Sequence, residues 1–97
     1  MHKAILLLKD IPQGKVVTYK ELARACKTSP RAVGRIMAGN EYPKEYPCYK
    51  VVASDGRLCG YSGSGGIVAK EKLLLKEGIH FLRGKVQKNQ FYHFKTK

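Results

Sequence analysis

Apolar residues at Ala4, Ile5, Leu7, Leu8 and Ile11 recur at helical spacing and predict an opening helix over about 2–10, ended by Pro12 and Gly14. Lys15-Val16-Val17-Thr18 is a short β-branched run that suits a small strand. Thr18-Tyr19-Lys20-Glu21 has the form of a capping box, in which Thr18 accepts from the backbone N–H three residues on and Glu21 reaches back. A second helix follows, with Leu22, Ala25 and Cys26 on its inner face, and Lys27-Thr28-Ser29 reads as a turn. Ser29-Pro30 then opens a third helix, with a capping serine, proline in the first turn, and Val33, Ile36 and Met37 as the buried stripe. Gly39-Asn40 is expected to stop it. Two short helices joined by a tight turn suggest a helix-turn-helix, although any paired helices would give the same pattern.

Beyond a loop over 41–47, Val51-Val52-Ala53 and Arg57-Leu58-Cys59 flank Ser54-Asp55-Gly56 and predict a hairpin. A glycine-rich stretch over 60–66 precedes a helix over about 67–77, with Ile67, Ala69, Leu73 and Leu74 on its stripe and Gly78 as its stop. Ile79 to Leu82 and Gln90 to Phe94 predict a terminal hairpin or wing, turning at Arg83-Gly84-Lys85.

The chain has 97 residues, so the pattern describes one domain over 1–97. Apolar residues make up 43%, enough for a core. The longest apolar run, Ala4 to Leu8, is far shorter than the roughly 20 residues a spanning helix needs, and the expected secretion-signal pattern is missing. Nineteen Lys and Arg against seven Asp and Glu give a net charge of +12. That charge favours nucleic acid as the partner over an anionic membrane surface or an acidic protein. Three scattered cysteines form no Cys-x-x-Cys pair, and no histidine stands at ligand spacing from one, so neither a disulfide framework nor a zinc site is expected. An intracellular location follows.

Cys48 is the candidate nucleophile. It follows Pro47, at the junction of a loop and a strand, with Lys50 nearby, and positive charge favours the reactive thiolate. The plainer reading is a small buried side chain. Pro47-Cys48-Tyr49-Lys50-Val51-Val52 resembles the Pro-Cys-His-Arg-Val motif of the 6-O-alkylguanine-DNA alkyltransferases. Arg31-Ala32-Val33-Gly34, Gly39-Asn40, Tyr61-Ser62-Gly63, Lys70-Glu71 and Leu74-Leu75-Lys76-Glu77-Gly78 continue the likeness in order and at near-family spacing.

The resemblance implies a mainly α fold with short β hairpins, a winged helix-turn-helix-like domain. It implies DNA repair by single-turnover transfer of an alkyl group from flipped-out 6-O-alkylguanine to the cysteine, with no cofactor or metal. The flipping is needed because the target atom is shielded in the stacked duplex. Cys48 would accept the alkyl group, with Tyr49 and Glu77 in the proton relay. Arg31 would fill the gap left by the base, and Tyr19 would press on the flanking phosphate. Small Ala32 and Gly34 would let the helix lie in a minor groove about 6 Å wide. Lys50 would contact DNA, Asn40 would be a hinge, and Tyr61 and Ser62 would line the base pocket. The implied partner is double-stranded DNA containing alkylated guanine, with another DNA-repair protein as a further partner. The chain is expected to be monomeric.

Two departures bear on the chemistry. Tyr49 stands where the family has histidine, and making tyrosinate at pH 7 costs about 4 kcal/mol. The loop at Gly63-Ser64-Gly65-Gly66 is longer than usual and Cys59 replaces a glycine, which leaves the preferred lesion open. The alternative within the family is an alkyltransferase-like protein that flips the lesion without transfer and recruits other factors; those proteins replace the cysteine, which this chain keeps. A winged-helix transcription factor with an incidental cysteine is the third reading.

Overall fold

A computed structural model describes residues 2–42, 45–58 and 66–94. The first helix, α1 (Lys3–Leu7), tightens into a 3₁₀ turn over Leu8–Asp10 and buries Ala4, Ile5 and Leu8. β1 (Val17–Thr18) leads into α2 (Tyr19–Cys26), where the Thr18 hydroxyl accepts from Glu21 N at 3.0 Å. Only half of the expected capping box forms. The Glu21 carboxylate turns instead to Arg24 Nε at 2.9 Å and to the backbone N–H of Phe94 at 2.7 Å. A charged guanidinium and a distant N–H outcompete the local Thr18 N–H.

The turn after α2 places Lys27 in the left-handed region at φ 56°, and Ser29 caps α3 (Pro30–Ala38) by accepting from Ala32 N at 3.1 Å. The helix pair is thus the expected one. Gly39 does not stop α3 by left-handed geometry, since its φ is −88°. The Asn40 side chain closes the end, accepting from Tyr42 N at 3.1 Å and donating to Tyr46 O at 2.8 Å.

β2 (Val51–Val52) runs parallel to β1, with Val17 opposite Val51 and Thr18 opposite Val52. The Asp-Gly turn forms, with Gly56 N donating to Ala53 O at 2.8 Å and Ala53 N to Arg57 O at 2.9 Å. The predicted hairpin does not extend from it. Val51 and Val52 are both fully buried, which suits a strand covered on both faces, and β1 takes the ladder. Arg57 instead makes a single bridge to Lys85.

α4 (Gly66–Lys76) ends as predicted. Gly78 has φ 91°, its N–H donates to Leu75 O, and Ile79 N donates to Leu74 O, the paired bonds of a Schellman stop. Its stripe differs from expectation: Leu74 is buried, Ile67 is exposed, and Lys70 is fully buried.

The wing is β3 (Phe81–Leu82) paired with β4 (Lys85–Val86). Arg83 and Gly84 both have positive φ, the geometry of the two-residue turn that matches strand twist. This corrects the expected second strand. Residues 90–94 pass along β1 instead, with Val16 N donating to Gln90 O at 2.9 Å and Tyr92 N to Val16 O at 2.7 Å. One apolar group gathers α1, α2 and α3 around Leu22, Val33 and Cys48, and a second gathers Val16, Val52, Leu74, Ile79 and Val86 under the wing.

Candidate active site and nucleic-acid interface

Cys48 opens a 3₁₀ turn, Cys48–Lys50, that feeds directly into β2. Because β2 runs parallel to β1, the turn lies beside the segment that leads into β1, where Ile11 O and Pro12 O accept from Lys50. Asn40 holds its approach through Tyr46 O, and Cys48 N donates to Tyr46 O at 2.8 Å. The hinge residue of the sequence reading is therefore bonded one step from the cysteine. Cys48 is 4% exposed and packs in the first core group.

Lys50 is placed differently from the DNA contact expected of it. It is 4% exposed, and its ammonium donates to Ile11 O and Pro12 O, each at 3.1 Å, and pairs with Glu77 Oε1 at 3.0 Å. Those contacts account for the three donors of a lysine. Glu77 follows the last turn of α4, where the Gly78 stop fixes it. Its second oxygen accepts from the Tyr49 hydroxyl, and Gly14 N approaches Oε1 at 3.5 Å. Tyr49 and Glu77, joined in the reading only by resemblance, are thus in direct contact. The phenol donates to the same carboxylate that pairs with Lys50.

The sequence reading gave Lys70 no role, and the structure gives it a central place. Its ammonium donates to Val51 O at 2.6 Å and lies 5.9 Å from the Tyr19 ring centroid. It thereby ties α4 to the strand after the cysteine and to the start of α2. The signal was available: Lys70 precedes buried Leu74 by four residues and so shares its face.

Arg31 projects from the first turn of α3 and is exposed, while Ala32 and Gly34 are half-buried. A Cβ built on Gly34 meets nothing within 4 Å, so no packing inside the domain demands glycine there. Tyr19 is half-buried at the first position of α2. Tyr61, Ser62 and Cys59 lie outside the described residues. Burial pushes the Cys26 thiol up, against a smaller opposing effect of Lys3, which suits an inert core thiol. Among the described residues no group of His, Cys, Asp and Glu could hold a metal, and no helix is long and apolar enough to cross a membrane.

A helix pair and a short wing, with a cysteine on a braced turn, define a winged helix-turn-helix-like domain. Residues 1–79 match the family described as 6-O-methylguanine DNA methyltransferase, DNA binding domain, and the chain belongs to that family. It is 50% identical over 78 residues to a methylated-DNA–protein-cysteine methyltransferase of Pyrobaculum aerophilum, covering 80% of this chain and 51% of that protein. The chain thus spans about half the length of that relative. The crystal structure of the O6-methylguanine-DNA methyltransferase from Pyrococcus kodakaraensis KOD1 superposes with a TM-score of 0.72 at 47% identity, over 79% of this chain and 44% of that one. Schizosaccharomyces pombe Atl1, in complex with damaged DNA containing O6-carboxymethylguanine, superposes at 0.78 with 26% identity, over 93% of this chain and 91% of that one.

Proposed function

We propose that this chain repairs DNA by moving an alkyl group from 6-O-alkylguanine, turned out of the duplex, onto Cys48 in a single turnover. The observation that carries the reading is the retained Cys48 on a turn braced by Asn40, Lys50 and Glu77. In the step, the Cys48 sulfur forms a bond to the alkyl carbon and the bond from that carbon to guanine O6 breaks. The thiol gives up its proton and the leaving guanine takes one, so the base is restored and the thioether is permanent.

α3 would enter the minor groove with Ala32 and Gly34 against it, and Arg31 would occupy the space left by the base. A planar guanidinium can both stack there and bond to the orphaned partner. Tyr19 would lean on the flanking phosphate, and Tyr61 and Ser62 would line the base pocket. The burial of Cys48 fits delivery of the lesion by extrusion rather than encounter from solvent. Tyr49 serves as a hydroxyl link to Glu77, not as a resting base, so the transfer is slower than an imidazole would allow.

A second reading is favoured by the Atl1 complex, whose match extends over nearly the full length of both chains. In it the chain binds and flips the lesion without transfer and presents it to another DNA-repair protein. Mass spectrometry after incubation with duplex DNA carrying 6-O-methylguanine separates the two, with Cys48→Ala as control. Transfer adds a methyl group to the Cys48 peptide of the parent protein alone. An unmodified Cys48 peptide, with lesion binding intact, would defeat the first reading and support the second.

A further inference from the structure

Lys70 lies on the inward side of α4 and is 0% exposed, one turn before the equally buried Leu74. A buried ammonium is costly to desolvate, and a methionine of similar reach would fill the same space without that cost. Filling the core does not call for the charge, so its use lies in what the charge touches.

Two contacts bridge the β1–β2 ladder. The ammonium donates to Val51 O at 2.6 Å, three residues after Cys48, and lies 5.9 Å from the ring centroid of Tyr19, the first residue of α2. Val51 stands opposite Val17 in the ladder, and Tyr19 follows β1 directly. One cation thus reaches from the strand behind the cysteine turn to the side chain that opens α2. The two contacts differ in kind. The carbonyl accepts a short, charge-assisted bond, which fixes where the ammonium sits. The ring is drawn to the same charge by its quadrupole, which sets the tilt of a half-buried phenol that apolar packing alone would let slide.

We propose that Lys70 is a positioning residue for base extrusion. Through the Tyr19 ring it holds the phenol at a set distance from the Cys48 turn, so that a nucleotide rotated by pressure on its flanking phosphate arrives at the sulfur. This rests on the DNA-repair reading, in which Tyr19 leans on that phosphate, and adds a residue that is itself too deeply buried to meet DNA. Lys70 then governs how fast the lesion is turned out and not how tightly the duplex is held.

The test measures binding and extrusion separately on the full chain. Anisotropy gives the affinity for a 6-O-methylguanine duplex, and the brightening of a 2-aminopurine placed beside the lesion gives the rate of unstacking. Lys70→Met, Tyr19→Leu and their combination are compared with the parent, with melting curves to show that each folds. If Lys70→Met does not fold, Lys70→Gln, which keeps a donor for Val51 O and loses the cation, takes its place with the same expectation. The lysine variant is expected to bind the duplex within about two-fold of the parent and to slow unstacking about ten-fold. Added to Tyr19→Leu, it should slow unstacking by less than about two-fold, because there is no ring left to hold. A folded lysine variant that unstacks the lesion at the parental rate would overturn the proposal. So would a full ten-fold effect in the Tyr19→Leu background, or a loss of affinity that accounts for the slowing. A parent that binds no duplex, or that brightens intact and lesion duplexes alike, would overturn the repair reading itself, and is visible before any variant is compared.

Discussion

At the scale of single residues, the three-way contact of Lys50, Glu77 and Tyr49 decides most. A buried ion pair broken by removing one partner leaves the other charge desolvated, at a cost of about 3–5 kcal/mol. Lys50→Met is therefore expected to lower stability by about 3 kcal/mol in urea unfolding, somewhat less than the full range because Glu77 keeps some solvent contact. A variant as stable as the parent would show that the pair does not brace the turn. Tyr49→His offers Glu77 an imidazole in place of a phenol. Single-turnover transfer should then rise by about 10–100-fold, measured as methyl appearing on Cys48 with time. An unchanged rate would mean that thiol activation does not pass through position 49. Sequence showed Cys48 as a candidate, and resemblance alone joined it to Glu77. Lys50 was misread as a DNA contact because a positive charge looks the same in sequence whether it faces a phosphate or a buried carboxylate.

At the scale of elements, local chemistry was legible and distant pairing was not. Thr18, Ser29 and Gly78 mark their helix ends correctly because a cap acts within four residues. The β1–β2 pair was missed because nothing near Val51 names Val17 as its partner. The position of Lys70 was missed because the stripe drawn for its helix counted apolar residues alone. The freedom around Gly34 gives a two-sided expectation. Gly34→Ala should stabilise the fold by about 0.5–1 kcal/mol, since alanine is the better helix residue and meets no neighbour. It should weaken duplex binding, since the added methyl holds the helix off the groove. Melting curves and anisotropy on one variant check both, and unweakened binding would remove α3 from the interface. Gly56 is the opposite case. Its φ is 91°, and a Cβ there would stand 2.3 Å from Val86 O. Gly56→Ala is expected to cost about 2–3 kcal/mol in urea unfolding, through backbone strain and displacement of the wing.

At the scale of the whole molecule, the far end of the C-terminal strap, residues 90–94, is tied to α2 by the Glu21 carboxylate and by Arg24. The Arg24 guanidinium, and to a lesser degree the Phe94 N–H, hold Glu21 below the usual carboxylate range against the opposing effect of burial. A depressed folded value means that the stabilisation is present above the ordinary carboxylate range and is lost as pH falls through the folded value. The parent should therefore lose stability on acidification more steeply than Glu21→Gln, seen as converging melting temperatures at low pH. Parallel curves would show that the carboxylate does not anchor the strap. The helix pair and the basic charge were readable from periodicity and composition, and the fold class from the resemblance. The route of residues 90–94 was not, because it depends on a glutamate whose partner lies 73 residues away.

The parallel pairing of Val17 with Val51 has a kinetic corollary. The two strands enclose α2 and α3 in one loop, whose closure costs about 3 kcal/mol of chain entropy. That loop shortens only when the helices have already docked on each other. The segment bearing Cys48 is thus expected to settle late in folding, after the two basic helices have formed and docked.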